Sequence, residues 1–156
     1  MRILIIGSGG REHALARALA KSPHADALYA APGNPGTAQI ATNVGLSSGD
    51  FDGLVEFAET ESIDLTVVGP EQPLVEGIVD RFTDAGLRIV GPTAAAARLE
   101  GSKAFADRFM ERHDIPTAQF SVFGADEHEA AAEQLETVGA PIVVKADGWA
   151  GGKGAF

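Results

Sequence analysis

The sequence predicts an α/β protein with a parallel sheet, and three observations lead to that fold class. Short apolar strand patterns alternate with amphipathic helix patterns over residues 1–100. Glycine or proline follows the strand patterns, as expected where a strand turns towards a helix. Hydrophobic residues make up 45% of the 156 residues, which is enough for a substantial buried core.

The first elements along the chain form a strand–helix–strand unit. Residues 3–6 are a short apolar strand that ends at Gly7, and residues 11–21 carry alanine and leucine on one helical face. Residues 27–30 form a weaker strand. It ends at residues 32–36, because a loop with two prolines and two glycines can continue neither a strand nor a helix.

The next elements repeat the alternation. A helical pattern over residues 51–61 leads to an apolar strand at residues 65–68. Residues 74–82 present a clear apolar helical stripe. A further strand at residues 87–90 precedes an alanine-rich helix at residues 93–99, so the alternation predicts one α/β domain up to about this point.

A domain boundary is predicted near residue 100, where the pattern changes. Ser102 is a suitable N-cap for a helix that runs to about Arg112. Residues 118–123 alternate as a strand.

The last elements are a helix, a strand and a loop. Residues 126–138 are amphipathic, with Asp126 as the expected cap of the helix. Residues 141–145 form an apolar strand, and residues 147–154 are a glycine-rich loop.

Composition and charge exclude several classes of function. The net charge of −10 repels nucleic acid and anionic membranes, so neither is an expected partner. The absence of cysteine removes disulfides and thiolate metal sites, and the four histidines lack metal-ligand spacing. No apolar run reaches the ~18 residues of a membrane span or the ~7–15 residues of a signal-peptide core. We therefore expect a cytoplasmic location.

The first loop, residues 7–12, follows a strand and opens a helix, which is a geometry that binds anions. A dinucleotide fingerprint would need glycine at its third position, where Glu12 stands. The second strand also lacks the acidic residue that binds a ribose hydroxyl. The loop therefore favours a small anionic ligand over NAD, and a plain tight turn with solvated Arg11 and Glu12 stays open.

The third loop, residues 69–74, places Glu71 just past the carboxyl end of a strand, where open α/β sheets bind ligands. A carboxylate there could hold an amine or a ribose hydroxyl. The alternative is a helix N-terminal charge worth only ~0.3–1 kcal/mol. The second loop, residues 32–36, is expected at the same edge, so three loops converge on one crevice.

A basic, glycine-rich segment ends the chain. Lys145 closes an apolar strand, and four glycines and Lys153 follow it. Glycines let a backbone fold over phosphates and the lysines supply charge, although the Walker pattern is absent. A flexible basic turn is the alternative reading. Trp149 is either a lid over a nucleotide or a packing residue.

Single motifs here are weak, but their order is specific. GSGGREHAL, PGNPG, VVGPEQPLVEGIVD, LEGSKAFADRFM, PTA and VVKADGWAGGKG follow one another along residues 1–156. The chain resembles the glycinamide ribonucleotide synthetase family of ATP-grasp ligases. The resemblance implies a Rossmann-like, pre-ATP-grasp domain at residues 1–100 and the beginning of an ATP-grasp domain at residues 101–156.

The resemblance also implies a reaction. ATP phosphorylates the carboxylate of glycine, and the amine of phosphoribosylamine attacks the glycyl phosphate, giving glycinamide ribonucleotide, ADP and phosphate in purine biosynthesis. The implied cofactors are ATP and Mg²⁺ or Mn²⁺. The implied partners are the three small substrates.

Site residues carry over position by position. The residues implied to bind phosphoribosylamine are Gly9, Gly10, Arg11, Glu12, Gly33, Asn34 and Glu71. Those implied to contact ATP phosphates are Lys103, Lys145, Gly148, Gly151, Gly152, Lys153 and Gly154.

The sequence departs from the family pattern at Asp107, often a basic residue there, and at Trp149 and Gly151 in the glycine-rich loop. The metal carboxylates, the glycine-binding residues and the catalytic groups of this family lie beyond Phe156. We therefore expect part of a longer ligase, inactive by itself.

Two alternatives remain. One is an ATP-grasp ligase of the carboxylase type, which the GREHAL and GPEQPLVEG strings disfavour. The other is a non-catalytic module that binds a phosphosugar or a nucleotide.

Overall fold

The computed structural model describes residues 1–148 and 155. The chain divides into two compact units, Met1–Ala97 and Arg98–Phe156. The sequence boundary near residue 100 stays a prediction. No helix among the described residues is long and apolar enough to cross a membrane.

The first unit is built on a five-stranded, all-parallel sheet in the order β3-β2-β1-β4-β5. Its strands are β1 (Arg2–Gly7), β2 (Ala27–Pro32), β3 (Thr42–Asn43), β4 (Leu65–Val68) and β5 (Ile89–Val90). In the register, Ile5 lies opposite Ala30 on one side and Val67 on the other. The predicted α/β class with a parallel sheet is therefore confirmed.

The helices of the first unit lie between these strands or follow the last of them, as the alternation predicts. They are α1 (Gly10–Leu19), α2 (Phe51–Thr60), α3 (Glu71–Val75), α4 (Ile78–Asp84) and α5 (Ala94–Gly101), whose last residues lie beyond Ala97. A short 3-10 helix, Thr37–Gln39, follows the second loop. Neither it nor the two-residue strand β3 has a periodic pattern long enough to be found in the sequence.

The hydrophobic core lies on the sheet face covered by α2 and α4. Phe82, Ile78 and Leu54 are fully buried against the central strand. The members of this core are Leu4, Ile6, Ala31, Leu54, Val55, Ala58, Ile63, Ile78, Val79 and Phe82. This apolar layer holds the sheet that carries the three loops.

The helix expected over residues 74–82 is interrupted. The structure has α3 and α4 instead, with Gly77 between them at a φ of 94°. That conformation is left-handed and favours glycine, which breaks the run of helical hydrogen bonds. The apolar stripe continues across the break, so the sequence pattern reads as one helix.

In the second unit, α6 (Lys103–Arg112) has the predicted N-cap. The backbone N–H of Phe105 donates to Ser102 Oγ at 3.1 Å. The last helix, α7 (His128–Val138), has Glu127 as its N-cap, so the prediction of Asp126 is wrong. Glu127 Oε2 accepts from the N–H of Gly124 at 2.6 Å and closes a turn with Asp126 inside it.

The strands predicted at residues 118–123 and 141–145 are also wrong. Among the described residues, Lys145 forms only an isolated antiparallel bridge with Ala155, and residues 118–123 are not in a strand. An alternating sequence becomes a strand only where a neighbouring strand takes its backbone hydrogen bonds. The described part of this unit contains none, and Val143 is 63% exposed.

Candidate functional site

The three loops meet at one edge of the sheet, because β1, β2 and β4 are parallel and end there. The N–H of Gly33 donates to the carbonyl of Gly7 at 3.1 Å, which joins the second loop to the first. The N–H of Gly69 donates to the carbonyl of Ile6 at 3.0 Å, which joins the third loop to β1. The predicted convergence is confirmed.

The first loop presents the N-terminus of α1. Gly9 is its N-cap, and the loop residues Gly9, Gly10 and Arg11 are exposed. Helix geometry leaves the first N–H groups of α1 without an intrahelical acceptor. The macrodipole adds partial positive charge at the same place, so this end of α1 is suited to an anion.

Glu12 occupies the third position of the first turn, but its side chain is 4% exposed. The N–H of Gly9 donates to Glu12 Oε2, which is the glutamate half of a capping box, since glycine has no side chain to return a bond. Glu12 therefore lies at the expected site, beneath the loop and not on its exposed surface. The open reading of a solvated Glu12 is wrong.

Arg11 crosses from the first loop to the third. Its Nη1 donates to the carbonyl of Gly69 and lies 3.5 Å from Glu71 Oε2. The Arg11 side chain is 65% exposed and that of Glu71 is 35% exposed. A cation and a carboxylate thus stand together at the rim of the crevice, on two loops that are far apart in sequence.

Asn34 fastens the second loop to the first. Its Nδ2 donates to the carbonyls of Ser8 at 2.9 Å and Gly9 at 3.1 Å. Its Oδ1 accepts from the N–H groups of Gly36 at 2.7 Å and Thr37 at 3.0 Å. The amide nitrogen and the amide oxygen of Asn34 are therefore both bonded to backbone groups, and the residue fixes the spacing between the two loops.

Sequence reasoning missed the groups that hold Asn34. Thr37 is fully buried and donates to Asn43 Oδ1 at 2.7 Å, and Asn43 Nδ2 donates to the carbonyl of Asn34 at 2.9 Å. The ring of His13 lies against Gly36, where an added Cβ would be 2.6 Å from Nδ1. Single polar residues around a short edge strand give no periodic signal, so only the structure reveals them.

The rim of the crevice can bind a ligand with two kinds of group. The start of α1 and the Arg11 guanidinium suit a phosphate. The Glu71 carboxylate suits a hydroxyl or an amine, since an ionised carboxylate only accepts hydrogen bonds. These groups are chemically suited to a small phosphorylated molecule with polar substituents.

The second unit brings Lys103 and Gly148 together. Lys103 Nζ donates to the carbonyl of Gly148 at 2.8 Å. Asp147 accepts from Ser102 Oγ at 3.1 Å and from the N–H of Ala104 at 3.2 Å, so its carboxylate lies at the N-terminus of α6. The start of the glycine-rich loop is thereby attached to the helix that carries Lys103.

The pKa of Asp147 is lowered. Partial burial by itself raises the pKa, but hydrogen bonds from the N–H groups of Gly148 and Ala104 and from the Ser102 hydroxyl outweigh it. These bonds favour the ionised form. Asp147 therefore stays charged at neutral pH and remains a partner for the start of α6.

Lys145 is exposed and lies in the bridge with Ala155. The remaining expected phosphate contacts, together with Trp149, lie outside the described residues: Gly151, Gly152, Lys153 and Gly154. Among the described residues, no group of three or more His, Asp or Glu side chains could hold a metal ion. The residues that the structure describes thus do not form a metal site.

Two family models match the chain end to end. Residues 1–100 match "Phosphoribosylglycinamide synthetase, N domain", and residues 101–156 match "Phosphoribosylglycinamide synthetase, ATP-grasp (A) domain". Among curated relatives, the chain is 58% identical to a phosphoribosylamine–glycine ligase of Allochromatium vinosum and 55% identical to that of Escherichia coli K12. All of the chain is covered in both cases, but it spans only 36% of either relative.

Solved structures show the same similarity. Phosphoribosylamine–glycine ligase from Thermotoga maritima superposes with a TM-score of 0.76 at 35% identity, covering 100% of this chain and 35% of that one. The biotin carboxylase domain of the Hydrogenobacter thermophilus 2-oxoglutarate carboxylase superposes with a TM-score of 0.78 at 20% identity, covering 99% and 36%. The second likeness shows a shared fold alone.

Proposed function

This chain belongs to the phosphoribosylglycinamide synthetase family, and from that premise we propose that it carries the amine-binding part and the beginning of the ATP-binding part of a phosphoribosylamine–glycine ligase. Two observations support the proposal. The sequence matches span the whole chain. The crevice rim offers an anion site and a carboxylate side by side.

The reaction we propose has two steps. A carboxylate oxygen of glycine attacks the γ-phosphorus of ATP, ADP leaves, and glycyl phosphate forms. The amine of phosphoribosylamine then attacks the acyl carbon, phosphate leaves and a proton is lost, giving glycinamide ribonucleotide. Phosphorylation is needed because a free carboxylate is a poor electrophile.

We assign phosphoribosylamine to the first unit. The phosphate would lie beside Gly9 and be bound by the N–H group of Gly10 and by Arg11, since the N–H of Gly9 already donates to Glu12. Glu71 would accept a hydrogen bond from a ribose hydroxyl or the amine. The single observation that carries this assignment is the 3.5 Å pair of Arg11 and Glu71, which places a cation and an anion on opposing loops at the start of α1.

The second loop would complete this site by its backbone. Gly33 bonds to the first loop through its N–H, and the side chain of Asn34 is already used by Ser8 and Gly9. Both residues therefore shape the pocket. An added Cβ at Gly33 would lie 2.5 Å from Asn43 Cγ, at a φ of 70°, so glycine is required there.

ATP is assigned to the second unit on the strength of the family relationship. Lys103 would contact the phosphates, and its attachment to Gly148 keeps it beside the start of the glycine-rich loop. Lys145 and the loop residues after Gly148 are proposed as the other contacts. A requirement for Mg²⁺ or Mn²⁺, held elsewhere in the natural protein, stays a prediction, as does a cytoplasmic location.

The test is an assay of the natural protein that contains this chain. We expect ADP release only when glycine and phosphoribosylamine are both present. Arg11→Ala should raise the KM for phosphoribosylamine by about tenfold or more, since a charged hydrogen bond is worth about 1.5–3 kcal/mol. Arg17→Ala, in the last turn of the same helix, is the matched control and should change little.

Two results would contradict the proposal. ADP release that depends on bicarbonate in place of glycine would indicate a carboxylase. Tight nucleotide binding without any turnover of these substrates would indicate a non-catalytic module.

A further inference from the structure

The Glu12 side chain is buried beneath the first loop. Only 4% of it is exposed, and the N–H of Gly9 donates to its Oε2. Its carbon atoms pack on the ends of β1 and β4. A Cβ added to Gly7 would lie 2.7 Å from Glu12 Cδ, and one added to Gly69 would lie 2.5 Å from the same atom. The last residue of β1 and the residue that follows β4 are thus both glycine at the point where the Glu12 side chain packs.

This arrangement inverts the packing of a dinucleotide-binding loop. There, a glycine at the third fingerprint position lets the helix approach the strand. Here the helix carries the large side chain, and the strand ends are the small residues. Gly7 also has a φ of 124°, a conformation open to glycine alone.

Gly69 is held from two sides by consecutive residues. The Glu12 side chain packs against it, and Arg11 Nη1 donates to its carbonyl. Its N–H is bonded to Ile6 as well. Glu71 follows two residues later, so the place of its carboxylate depends on where Gly69 is fixed.

We propose that Glu12 is a positioning residue for the proposed phosphoribosylamine site. It does not contact substrate. It sets the distance between the phosphate-binding start of α1 and the Glu71 carboxylate by holding Gly9 and Gly69 at once. This inference rests on the proposed function for the identity of the ligand, whereas the packing of Glu12 on Gly69 stands on the structure alone.

The role depends on shape and on one hydrogen-bond acceptor. Glutamine has nearly the same shape as glutamate, and its carbonyl oxygen can accept from Gly9. Alanine removes both the packing and the acceptor. A residue that bound substrate by its charge would fail with either replacement, so Glu12→Gln and Glu12→Ala separate the two roles.

The first experiment is a double-mutant cycle on the unfolding of this chain, using Glu12→Ala, Gly69→Ala and the pair. We expect Gly69→Ala to lower the denaturation midpoint clearly in the wild-type background, because its methyl group meets Glu12. In the Glu12→Ala background the same change should have a much smaller effect, since the space is then open. Equal effects in both backgrounds would overturn the inference.

The second experiment measures kinetics in the natural protein. We expect Glu12→Gln to keep the KM for phosphoribosylamine within about threefold, and Glu12→Ala to raise it about tenfold with kcat and the KM for ATP within about twofold. Equal losses with both variants, or a parallel rise in the KM for ATP, would contradict a positioning role.

The two experiments can refute the proposed function and the role of Glu12 independently. If the natural protein has no ligase activity while the unfolding cycle still shows coupling, the proposed function is wrong and the packing role of Glu12 stands. An additive cycle overturns the role of Glu12 whatever the activity.

Discussion

At the scale of single residues, the crevice is held by side chains that bond to backbone. Asn34 is the clearest example, because its amide makes four hydrogen bonds, two to the first loop and two to the residues that follow it. From sequence, Asn34 is implied only as a residue near the substrate. The bonds to Gly36 and Thr37 are local, whereas those to Ser8 and Gly9 depend on how β1 and β2 align, which no local pattern encodes.

Asn34→Asp should weaken substrate binding in the natural protein. Aspartate keeps the acceptor for Gly36 and Thr37 but cannot donate to the carbonyls of Ser8 and Gly9. Loss of two bonds at about 1 kcal/mol each predicts a rise of roughly tenfold or more in the KM for phosphoribosylamine. Steady-state kinetics beside Gln39→Ala, an exposed control, would measure it, and an unchanged KM would show that the loop spacing does not matter.

Asp26 gives a pH-dependent prediction. The pKa of Asp26 is lowered by the hydrogen bond from the N-terminal ammonium of Met1 and by the charge of that group. A carboxyl group with a depressed pKa in the folded state stabilises the fold above its unfolded pKa, and this contribution is lost as pH falls through the folded pKa.

Asp26→Asn should therefore be less stable than the wild-type chain near pH 6, and the difference should vanish at a pH below the folded pKa. Chemical denaturation at several pH values would show it. Asp84→Asn, an exposed change elsewhere in the unit, is the control. A difference that stays constant with pH would rule out the ion pair as its cause.

At the scale of elements, the sequence predicts best the helices and strands that have a long apolar periodicity and that pack against elements of the same unit. β1, β4, α2 and α6 match their predictions closely. The single helix at 74–82 was wrong, because one glycine conformation breaks it without changing the periodicity.

The strands at residues 118–123 and 141–145 failed for another reason. A segment forms a strand only when a neighbouring strand pairs with its backbone, and the periodicity of the segment does not show whether such a neighbour exists. The notable contact of this unit, between Asp147 and the start of α6, joins positions 45 residues apart and has no signature in either segment.

Asp147→Ala in the natural protein should raise the KM for ATP and leave the KM for phosphoribosylamine within about twofold. The reason is that Asp147 fastens the start of the glycine-rich loop to the helix of Lys103. Ser102→Ala should raise the KM for ATP less than Asp147→Ala does. It should lower the free energy of unfolding by about 1 kcal/mol, because the N-cap of α6 is lost. Equal rises for both substrates would point to general unfolding instead.

At the scale of the whole molecule, the first unit is a support for its loops. The core side chains on one face of its sheet are buried beneath two helices. The alternation of strands and helices was sufficient to predict this architecture and the edge at which the loops meet. The distances within the crevice were not predictable, since they arise from polar contacts between distant loops.

Phe82→Ala should destabilise this chain by about 3–5 kcal/mol, because it removes a fully buried aromatic side chain from the core. Val90→Ala is a control in the same unit, where the side chain is 52% exposed and the loss should be below about 1 kcal/mol. Urea denaturation of both variants tests whether the core lies on this face of the sheet.

The central claim is that the crevice of the first unit binds the phosphoribosyl group, and its most direct test is an amide chemical-shift titration of this chain. Ribose 5-phosphate is the probe, since it keeps the phosphate and both ring hydroxyls of phosphoribosylamine and carries a hydroxyl in place of the amine. We expect saturable shifts at Gly9, Gly10 and Arg11, with the N–H groups of α6 unchanged. Shifts confined to α6, or none at millimolar probe, would contradict the claim.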